Sequence, residues 1–312
     1  MPLTNYRKVK NITSIGGGPI GGGWSAFFLS RGYNVKAYLH DKKEKNQFLN
    51  IIDTAWTSLK KLGIKKNASI NNLTISYNLS ESLYEADFVQ ESAPENLNTK
   101  QKLYKTLGES LPLDTVIASS TSGLMMSDIQ LKCATPERTV VGHPFNPPYL
   151  LPLVEIVGGK KTKDKYIKWL YNFYRTAGKA PLILKKEIPG FIATRLQEAL
   201  WREALHMVDN NEASPEDIDK ALINGPAARM AIQGQCMAFH VACGEGGMAT
   251  NLDQFGPALE LPWTRLKAPK LTKDLRNKMV DGCNKMAKDR TFKKLASDRD
   301  AKIVKILKTL KK

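Results

Sequence analysis

The chain has 312 residues, 42% of them hydrophobic and 25% charged, which is typical of a globular protein large enough for two domains. It contains no apolar run of about 18 residues and begins without the apolar core of a secretory signal, so we expect no membrane span and a cytoplasmic location. The formal net charge of +17 comes from lysines spread along the whole chain, which argues against a nucleic-acid-binding face.

The cysteine pattern indicates neither disulfides nor a metal site. The four cysteines form no CxxC pair and show no spacing with histidine that is typical of zinc. We therefore expect reduced structural thiols and no bound metal. These residues are Cys133, Cys236, Cys243 and Cys283.

A predicted first strand over residues 9–15 runs directly into a glycine-rich segment, and a helix is predicted from Trp24 onward. A strand, a glycine turn and a helix in this order are typical of a dinucleotide-binding site, because the glycines let a pyrophosphate approach the helix N-terminus. The predicted cofactor-binding residues of this turn are Gly16, Gly18, Pro19, Ile20 and Gly21.

The second strand is predicted over residues 34–39, and an acidic residue that binds the adenosine ribose is expected near its end. Leu39 occupies that place. The next carboxylate is Asp41, two residues later and on the same side of an extended strand, so Asp41 is the candidate. His40, Lys42 and Lys43 beside it would also tolerate a 2′-phosphate, which leaves NADP open although NAD is expected.

Strands and helices alternate over the first half of the chain. Strands are predicted over 73–75, 88–91 and 116–118, and helices over 45–62 and 96–107. This alternation predicts a doubly wound parallel sheet, in which ligands bind at the carboxyl ends of the strands. Three polar segments fall at such ends, namely 91–95, 119–123 and the loop that follows residue 143.

One histidine stands at the end of an apolar run, at the entrance to a proline-rich loop. His143 follows the predicted strand 139–141, and Glu155 lies within the apolar segment 153–157. A carboxylate on an apolar strand needs a partner, and an imidazole is the obvious one. Such a pair can act as a general base with the carboxylate that orients it. The alternative is an ordinary buried ion pair with a structural role.

The pattern changes after residue 185, where convincing strands end. A helix is predicted through Leu196, Leu200 and Leu205, and another begins at Ser214-Pro215, which are good residues for a helix start. We place the domain boundary near Glu187. The expected domains are residues 1–187, a dinucleotide-binding domain, and 188–312, a helical domain for substrate binding and dimerisation.

Taken together, the motifs resemble the 3-hydroxyacyl-CoA dehydrogenase superfamily over essentially the whole chain. They are the glycine turn Gly16–Gly21, the strand end Glu91–Glu95 with Lys100, the segment Ala118–Ser122, the segment Gly142–Pro147 with Glu155, and Pro189–Ile192. The resemblance implies a Rossmann-type domain that binds NAD, an all-helical C-terminal domain and a homodimer. It also implies that His143 is the catalytic base and that Glu155 is its partner.

The resemblance assigns further site residues. It implies that Ser122 and Asn146 contact the substrate and the nicotinamide, and that Glu95 and Lys100 contact the cofactor. The chain departs from the family pattern at two positions, with Leu39 in place of the ribose-binding acid and Thr194 where relatives commonly carry Asn or Asp.

Within the superfamily, Asn146-Pro147-Pro148-Tyr149 resembles the branch that acts on free hydroxy acids, which includes the carnitine and gulonate dehydrogenases. Segments 243–248, 254–259 and 262–264 are most similar to the carnitine dehydrogenases. The implied substrate is therefore a small molecule, carnitine or a related 3-hydroxy acid. The alternatives are L-gulonate, a 3-hydroxyacyl-CoA, or a non-catalytic structural role like that of the lens crystallin of this branch.

Carnitine would require a site for its quaternary ammonium group and another for its carboxylate. A quaternary ammonium has no hydrogen-bond donor and is best bound by aromatic faces. The aromatic candidates are Tyr149, Trp201, Phe239 and Trp263, with Glu245 as an acidic neighbour, and the carboxylate candidates are Arg195 and Arg229. Each of them could instead be an ordinary core or surface residue.

Overall fold

The computed structural model describes residues 3–231, 234–243, 247–255 and 292–310, together with isolated positions between 261 and 277. The chain divides into two compact units, Met1–Thr194 and Arg195–Lys312. The division lies a few residues after Glu187, where the change of pattern places the domain boundary.

The first unit is built on one mixed sheet. Its order, from edge to edge, is β3-β2-β1-β4-β5-β6-β7-β8. The strands are β1 (Asn11–Ile15), β2 (Asn34–Tyr38), β3 (Leu73–Ser76), β4 (Phe88–Glu91), β5 (Val116–Ser119), β6 (Thr139–Pro144), β7 (Leu153–Gly158) and β8 (Ala180–Ile183).

Strands β1 to β6 are parallel, which confirms the predicted doubly wound sheet. Strand β7 runs antiparallel to β6, and β8 is parallel to β7. The pattern of apolar residues predicted strand β7 but not its direction. The reversal follows from the short connection between β6 and β7, because a parallel pairing needs a crossover of a dozen or more residues.

Helices cover both faces of this sheet. They are α1 (Pro19–Ser30), α2 (Glu44–Leu62), α3 (Leu79–Leu83), α4 (Leu97–Ser110), α5 (Met126–Ile129) and α6 (Asp164–Ala177). The helix predicted from Trp24 begins earlier, at Pro19, so the predicted start was wrong. Proline suits the first helical position because its φ is already helical and its missing N–H has no partner there in any case.

Two glycines in α1 are needed because other parts of the chain pass close to the helix. A Cβ atom on Gly22 would lie 2.8 Å from Cγ2 of Ile51 in α2, and one on Gly23 would lie 2.9 Å from Cδ of Pro148. The glycine run therefore lets α2 and the loop after β6 pack directly against the first helix.

An aromatic cluster fixes α1 and α6 against the sheet. The ring of Trp24 stacks on Phe28 at 5.1 Å, and Phe88 of β4 lies 4.6 Å from Phe173 of α6. All four side chains are buried, and aromatic groups of this size contribute much of a core's burial energy. The cluster consequently holds both helices on the sheet that carries the site.

The second unit is helical in the part that the structure describes. It contains α7 (Ala193–Asp209), most of which lies after the division, followed by α8 (Pro215–Asn224), α9 (Pro226–Met230), α10 (Gln235–Ala242), α11 (Gly247–Phe255) and α12 (Phe292–Leu310). Ser214 caps α8 with a reciprocal capping box to Asp217, which confirms the predicted helix start. Within the described residues, no helix is both long and apolar enough to cross a membrane.

Candidate active site

The polar segments that the sequence places after four strands meet at one edge of the sheet. They are the glycine turn after β1, residues 91–95 after β4, residues 119–122 after β5, and His143 near the end of β6. Strands β1 and β4 are neighbours, but the chain leaves β1 toward β2 on the other side. Ligands of such sheets bind in the crevice at this switch point.

The glycine turn has the form of a phosphate-binding turn. Gly16 has a φ of +114°, and a Cβ atom on Gly21 would lie 2.0 Å from the carbonyl oxygen of Gly16. No atom of the described residues lies within 4 Å of a Cβ atom built on Gly18. In the same part of the chain, no side chain caps the N-terminus of α1, which begins with Pro19 and Ile20. The turn therefore offers both space and helix N–H groups to an anion.

The end of β2 presents a leucine to this turn. Leu39 is fully buried, and its N–H donates to the carbonyl of Ser76 at 3.0 Å. Asp41 is exposed, and its Oδ1 accepts the N–H of Lys43 at 2.8 Å. Asp41 thus stabilises the turn that leads into α2, and its binding of the ribose stays a prediction.

His143 and Glu155 are directly opposite each other in the antiparallel pair of β6 and β7. The His143 Nδ1 atom lies 2.9 Å from Oε2 of Glu155. Glu155 is fully buried and His143 nearly so, with the rings of Phe145 and Phe191 at 5.5 and 5.4 Å from the imidazole. The register of the sheet therefore creates the contact that the sequence predicts.

The second carboxylate oxygen of Glu155 accepts two backbone N–H groups, those of Ile192 and Ala193, each at 2.9 Å. Burial disfavours its charge, but the bonds from His143, Ala193 and Ile192 outweigh burial and lower the pKa of Glu155. An ionised carboxylate only accepts hydrogen bonds, so Nδ1 of a neutral His143 carries the proton. Nε2 then keeps its lone pair and has no partner among the described residues.

A strained turn delivers the two backbone donors to Glu155. Gly190 and Phe191 have φ values of +72° and +51°, and Phe191 is fully buried. A bulky residue in the left-handed region costs roughly 1–3 kcal/mol, so the surrounding structure must hold it there. The turn directs the N–H groups of the next two residues at the carboxylate.

Lys100 lies within a buried network and is only 1% exposed. Its Nζ is 2.6 Å from Oε1 of Glu91, 3.2 Å from the carbonyl of Ala93 and 3.7 Å from Oε2 of Glu95. Glu91 also accepts the hydroxyl of Ser119 at 2.6 Å. Lys100 therefore joins the ends of β4 and β5 and supports Glu95 from behind.

Glu95 holds the loop that presents Ser122. Its Oε1 accepts the Thr121 hydroxyl at 2.6 Å and the N–H groups of Ser122 and Gly123 at 2.9 and 3.1 Å. Partial burial opposes its ionisation, but these bonds and the charge of Lys100 lower the pKa of Glu95. Ser122 itself is exposed at this edge of the sheet.

A buried lysine, which sequence reasoning missed, anchors the loop that carries Asn146. Lys179 Nζ donates to the carbonyls of Pro148 and Leu151, the second at 3.0 Å, and lies 4.9 Å from the ring of Trp24. Burial lowers the pKa of Lys179 well below its usual value. Lysine is rarely buried, so nothing in the sequence distinguishes this one from surface lysines. Asn146 is exposed at the head of the anchored loop.

The candidate carnitine-binding residues differ in exposure. Tyr149 is buried, whereas Trp201 and Phe239 are 47% and 41% exposed. Arg195 and Arg229 are also exposed. Trp263 and Glu245 lie outside the described residues. Among the residues that the structure does describe, no group of three or more His, Cys, Asp or Glu side chains could hold a metal ion.

Comparison with known families identifies both halves of the chain. Residues 11–188 match the NAD binding domain of 3-hydroxyacyl-CoA dehydrogenase, and residues 190–288 match the C-terminal domain of the same family. The chain belongs to the 3-hydroxyacyl-CoA dehydrogenase family.

Individual relatives resemble the chain over nearly its full length. It is 47% identical to an L-carnitine dehydrogenase of Streptomyces coelicolor, covering 98% of this chain and 96% of the relative. It is 42% identical to an L-carnitine dehydrogenase of Bacillus cereus, covering 99% and 96%. Among solved structures, an NAD⁺-dependent 5-formyl-3-hydroxy-2-methylpyridine 4-carboxylic acid 5-dehydrogenase superposes with a TM-score of 0.81 at 26% identity, covering 97% of this chain and 98% of that one.

The family confirms the main predictions from sequence. A Rossmann-type NAD-binding domain is followed by a helical C-terminal domain, and NAD is the cofactor of this 3-hydroxyacyl-CoA dehydrogenase family member. The glycine turn fits that cofactor, because the open space at Gly18 and the uncapped N-terminus of α1 can receive the pyrophosphate. The roles of individual side chains in the crevice remain proposals.

The lowered pKa of Glu155 predicts a specific dependence of stability on pH. Its ionised form stabilises the fold fully above the ordinary carboxyl value of 4.5, and this contribution disappears as the pH falls through the lowered folded value. We expect Glu155→Gln to reduce the free energy of unfolding at pH 7 by about 2 kcal/mol, because a buried charged acceptor of three hydrogen bonds is lost.

Urea unfolding of the wild type and Glu155→Gln, at pH 7 and then at a series of values below 4.5, measures this difference. The difference in the free energy of unfolding between the two proteins should become smaller as the pH falls. The matched control is Glu109→Gln, a change of an exposed residue, and it should alter the free energy of unfolding neither at pH 7 nor at acid pH. A gap that stays constant from neutral to acid pH contradicts a charged Glu155 in the folded protein.

Proposed function

We propose that this protein is an NAD-dependent oxidoreductase that oxidises L-carnitine to 3-dehydrocarnitine. The main support is the 41–48% identity to L-carnitine dehydrogenases over at least 96% of the chain. The geometry agrees, since a histidine-carboxylate pair lies at the same edge of the sheet as the glycine turn. Hydride transfer from an alcohol needs both a base and a dinucleotide at one crevice.

In this proposal, His143 is the general base. Its Nε2 removes the hydroxyl proton of the substrate, while Nδ1–H stays bonded to Glu155. The carboxylate fixes the tautomer and stabilises the imidazolium that forms. Because Glu155 is held by two backbone N–H groups as well, it keeps its negative charge beside the newly formed cation.

Ser122 and Asn146 are the proposed contacts to the reacting oxygen and the nicotinamide. Both are exposed at the carboxyl edge, at the ends of loops that Glu95 and Lys179 hold in place. Fixed donors at this position stabilise the charge that develops on oxygen as the proton leaves. NAD⁺, held at the glycine turn, would supply the acceptor for the hydride. Glu95, supported by Lys100, is the proposed cofactor contact beside Ser122.

The substrate assignment is tested with a panel of 3-hydroxy acids. We expect NADH formation with L-carnitine at a higher kcat/KM than with L-gulonate or 3-hydroxybutyryl-CoA, because the relatives that are 41–48% identical are named for carnitine. The panel is read at 340 nm with NAD⁺ and with NADP⁺. Turnover of either other substrate without turnover of carnitine rejects the assignment, and turnover of none favours a structural role like that of a crystallin.

The general base is tested by His143→Gln. Without a group that takes the hydroxyl proton, kcat should fall by about 100-fold to 10,000-fold. Dissociation constants for NADH, measured by fluorescence, should stay close to those of the wild type. The matched control is His206→Gln, a change of another partly buried histidine in the helical unit, and it should retain normal turnover. An unchanged kcat in His143→Gln would refute the mechanism.

We also propose a homodimer, formed through the apolar face of α7. Leu196, Leu200 and Trp201 lie within about one and a half turns of this helix and are 65%, 51% and 47% exposed in the single chain. Apolar side chains clustered in this way are typical of an interface between subunits. Sedimentation equilibrium should give a dimer for the wild type and a monomer for Leu200→Arg. A wild-type monomer at micromolar concentration excludes this interface.

We also propose that the protein is cytoplasmic. NAD is a cytoplasmic cofactor for this chemistry, and the described cysteines Cys133, Cys236 and Cys243 are all free thiols. Cell fractionation of the native protein checks the location, and recovery outside the cytoplasm contradicts it.

A further inference from the structure

The adenosine end of the NAD site lacks a carboxylate at its expected place. In dinucleotide-binding sheets, an acid near the end of the second strand accepts the hydroxyls of the adenosine ribose. Leu39 directly follows β2, and it is apolar and fully buried. The ribose hydroxyls therefore need another acceptor in this chain.

A carboxylate from α2 reaches the glycine turn. A Cβ atom on Gly17 would lie 2.5 Å from Oε2 of Glu44, and 3.1 Å from both Cβ of Glu44 and Cδ2 of Leu39. Glu44 is the first residue of α2 and is half-buried. Its carboxylate is thus against Gly17, beside the leucine that occupies the usual acidic position.

The Glu44 carboxylate accepts no hydrogen bond from the part of the chain that the structure describes. Its backbone N–H donates to the carbonyl of Asp41, but within the described part of the chain its carboxylate accepts no hydrogen bond and forms no ion pair. Asp41, in contrast, already accepts the N–H of Lys43 and is fully on the surface. The Glu44 carboxylate can therefore accept hydrogen bonds from a ligand at the phosphate-binding turn.

We propose that Glu44, in place of an acid at position 39, accepts the hydroxyl groups of the adenosine ribose and selects NAD over NADP. The inference rests on the NAD site described above and is independent of the identity of the substrate. The reason for the selection is charge. The carboxylate bonds to two neutral hydroxyls of NAD, whereas a 2′-phosphate at the same position would be repelled.

The basic residues of this region do not reverse that selection. His40, Lys42 and Lys43 follow Leu39 and are exposed. The ammonium of Lys42 lies 6.0 Å from the ring centre of Tyr77. A solvated lysine attracts a phosphate only weakly, and this attraction is smaller than the repulsion between the phosphate and a carboxylate in direct contact with it. Glu44 is therefore the charge that decides between the two cofactors.

Equilibrium binding tests the proposal without any turnover. Dissociation constants of NADH, NADPH and NADH that lacks the 2′-hydroxyl of its adenosine ribose are measured by nicotinamide fluorescence. The proteins are the wild type, Glu44→Gln, Asp41→Asn and Asp53→Asn. The wild type should bind NADH more tightly than NADPH. Glu44→Gln should weaken NADH binding by about 10-fold, the effect of losing a charged hydrogen-bond acceptor, and should strengthen NADPH binding.

The deoxy cofactor isolates the ribose contact. Removing the 2′-hydroxyl should weaken binding to the wild type more than it weakens binding to Glu44→Gln, because the neutral amide oxygen of glutamine is a weaker acceptor than the carboxylate. The matched control is Asp53→Asn, an exposed change on α2, which should leave all three constants within about twofold. Asp41→Asn tests the alternative acceptor. Circular dichroism spectra like those of the wild type verify that all three variants are folded.

Two results overturn the proposal. In the first, Glu44→Gln leaves the constants for NADH and NADPH unchanged while the wild type binds NADH, so the NAD site is correct and Glu44 is not its ribose acceptor. In the second, Asp41→Asn weakens NADH binding and Glu44→Gln does not, which assigns the contact to Asp41. If the expected binding constants are found but carnitine is not turned over, the substrate assignment is wrong and the proposed contact between Glu44 and the cofactor still holds.

Discussion

The ionised carboxylate of Glu155 is the group on which the candidate active site depends. One oxygen bonds to Nδ1 of His143, and the other receives the N–H groups of Ile192 and Ala193. A buried charge survives only when its bonds replace the lost water, and three donors achieve this here. One side chain therefore fixes the tautomer of the histidine and connects β7 to the start of α7.

The other groups of the crevice are also held by side chains that bond to the backbone or to strand ends around them. Lys100 joins the ends of β4 and β5 through Glu91, and Lys179 holds the carbonyls of the loop after β6. Glu95 gathers the N–H groups around Ser122. The exposed side chains that meet the substrate in our proposal thus rest on a layer of hydrogen-bonded polar side chains.

Residue patterns in the sequence were sufficient for much of this description. The order of strand, glycine turn and helix at residues 11–30 is typical of dinucleotide-binding domains. Short apolar segments located the six parallel strands. A glutamate inside an apolar strand had to have a partner, and His143 was the fitting one. The pattern missed the start of α1 at Pro19 and the antiparallel direction of β7, although a proline at the first helical position and a connection too short for a crossover account for them.

The sequence by itself determined the family, the Rossmann-type sheet, the cofactor class and the pairing of His143 with Glu155, because each of these depends on local spacing and on the cost of burying charge. Only the tertiary structure decided that Lys100 is buried behind Glu95, that Lys179 anchors the proline-rich loop, and that Glu44 is the carboxylate beside Gly17. These residues are far from their partners in the chain or lie on another element. Their positions are set by how helices pack on the sheet, which no local pattern records.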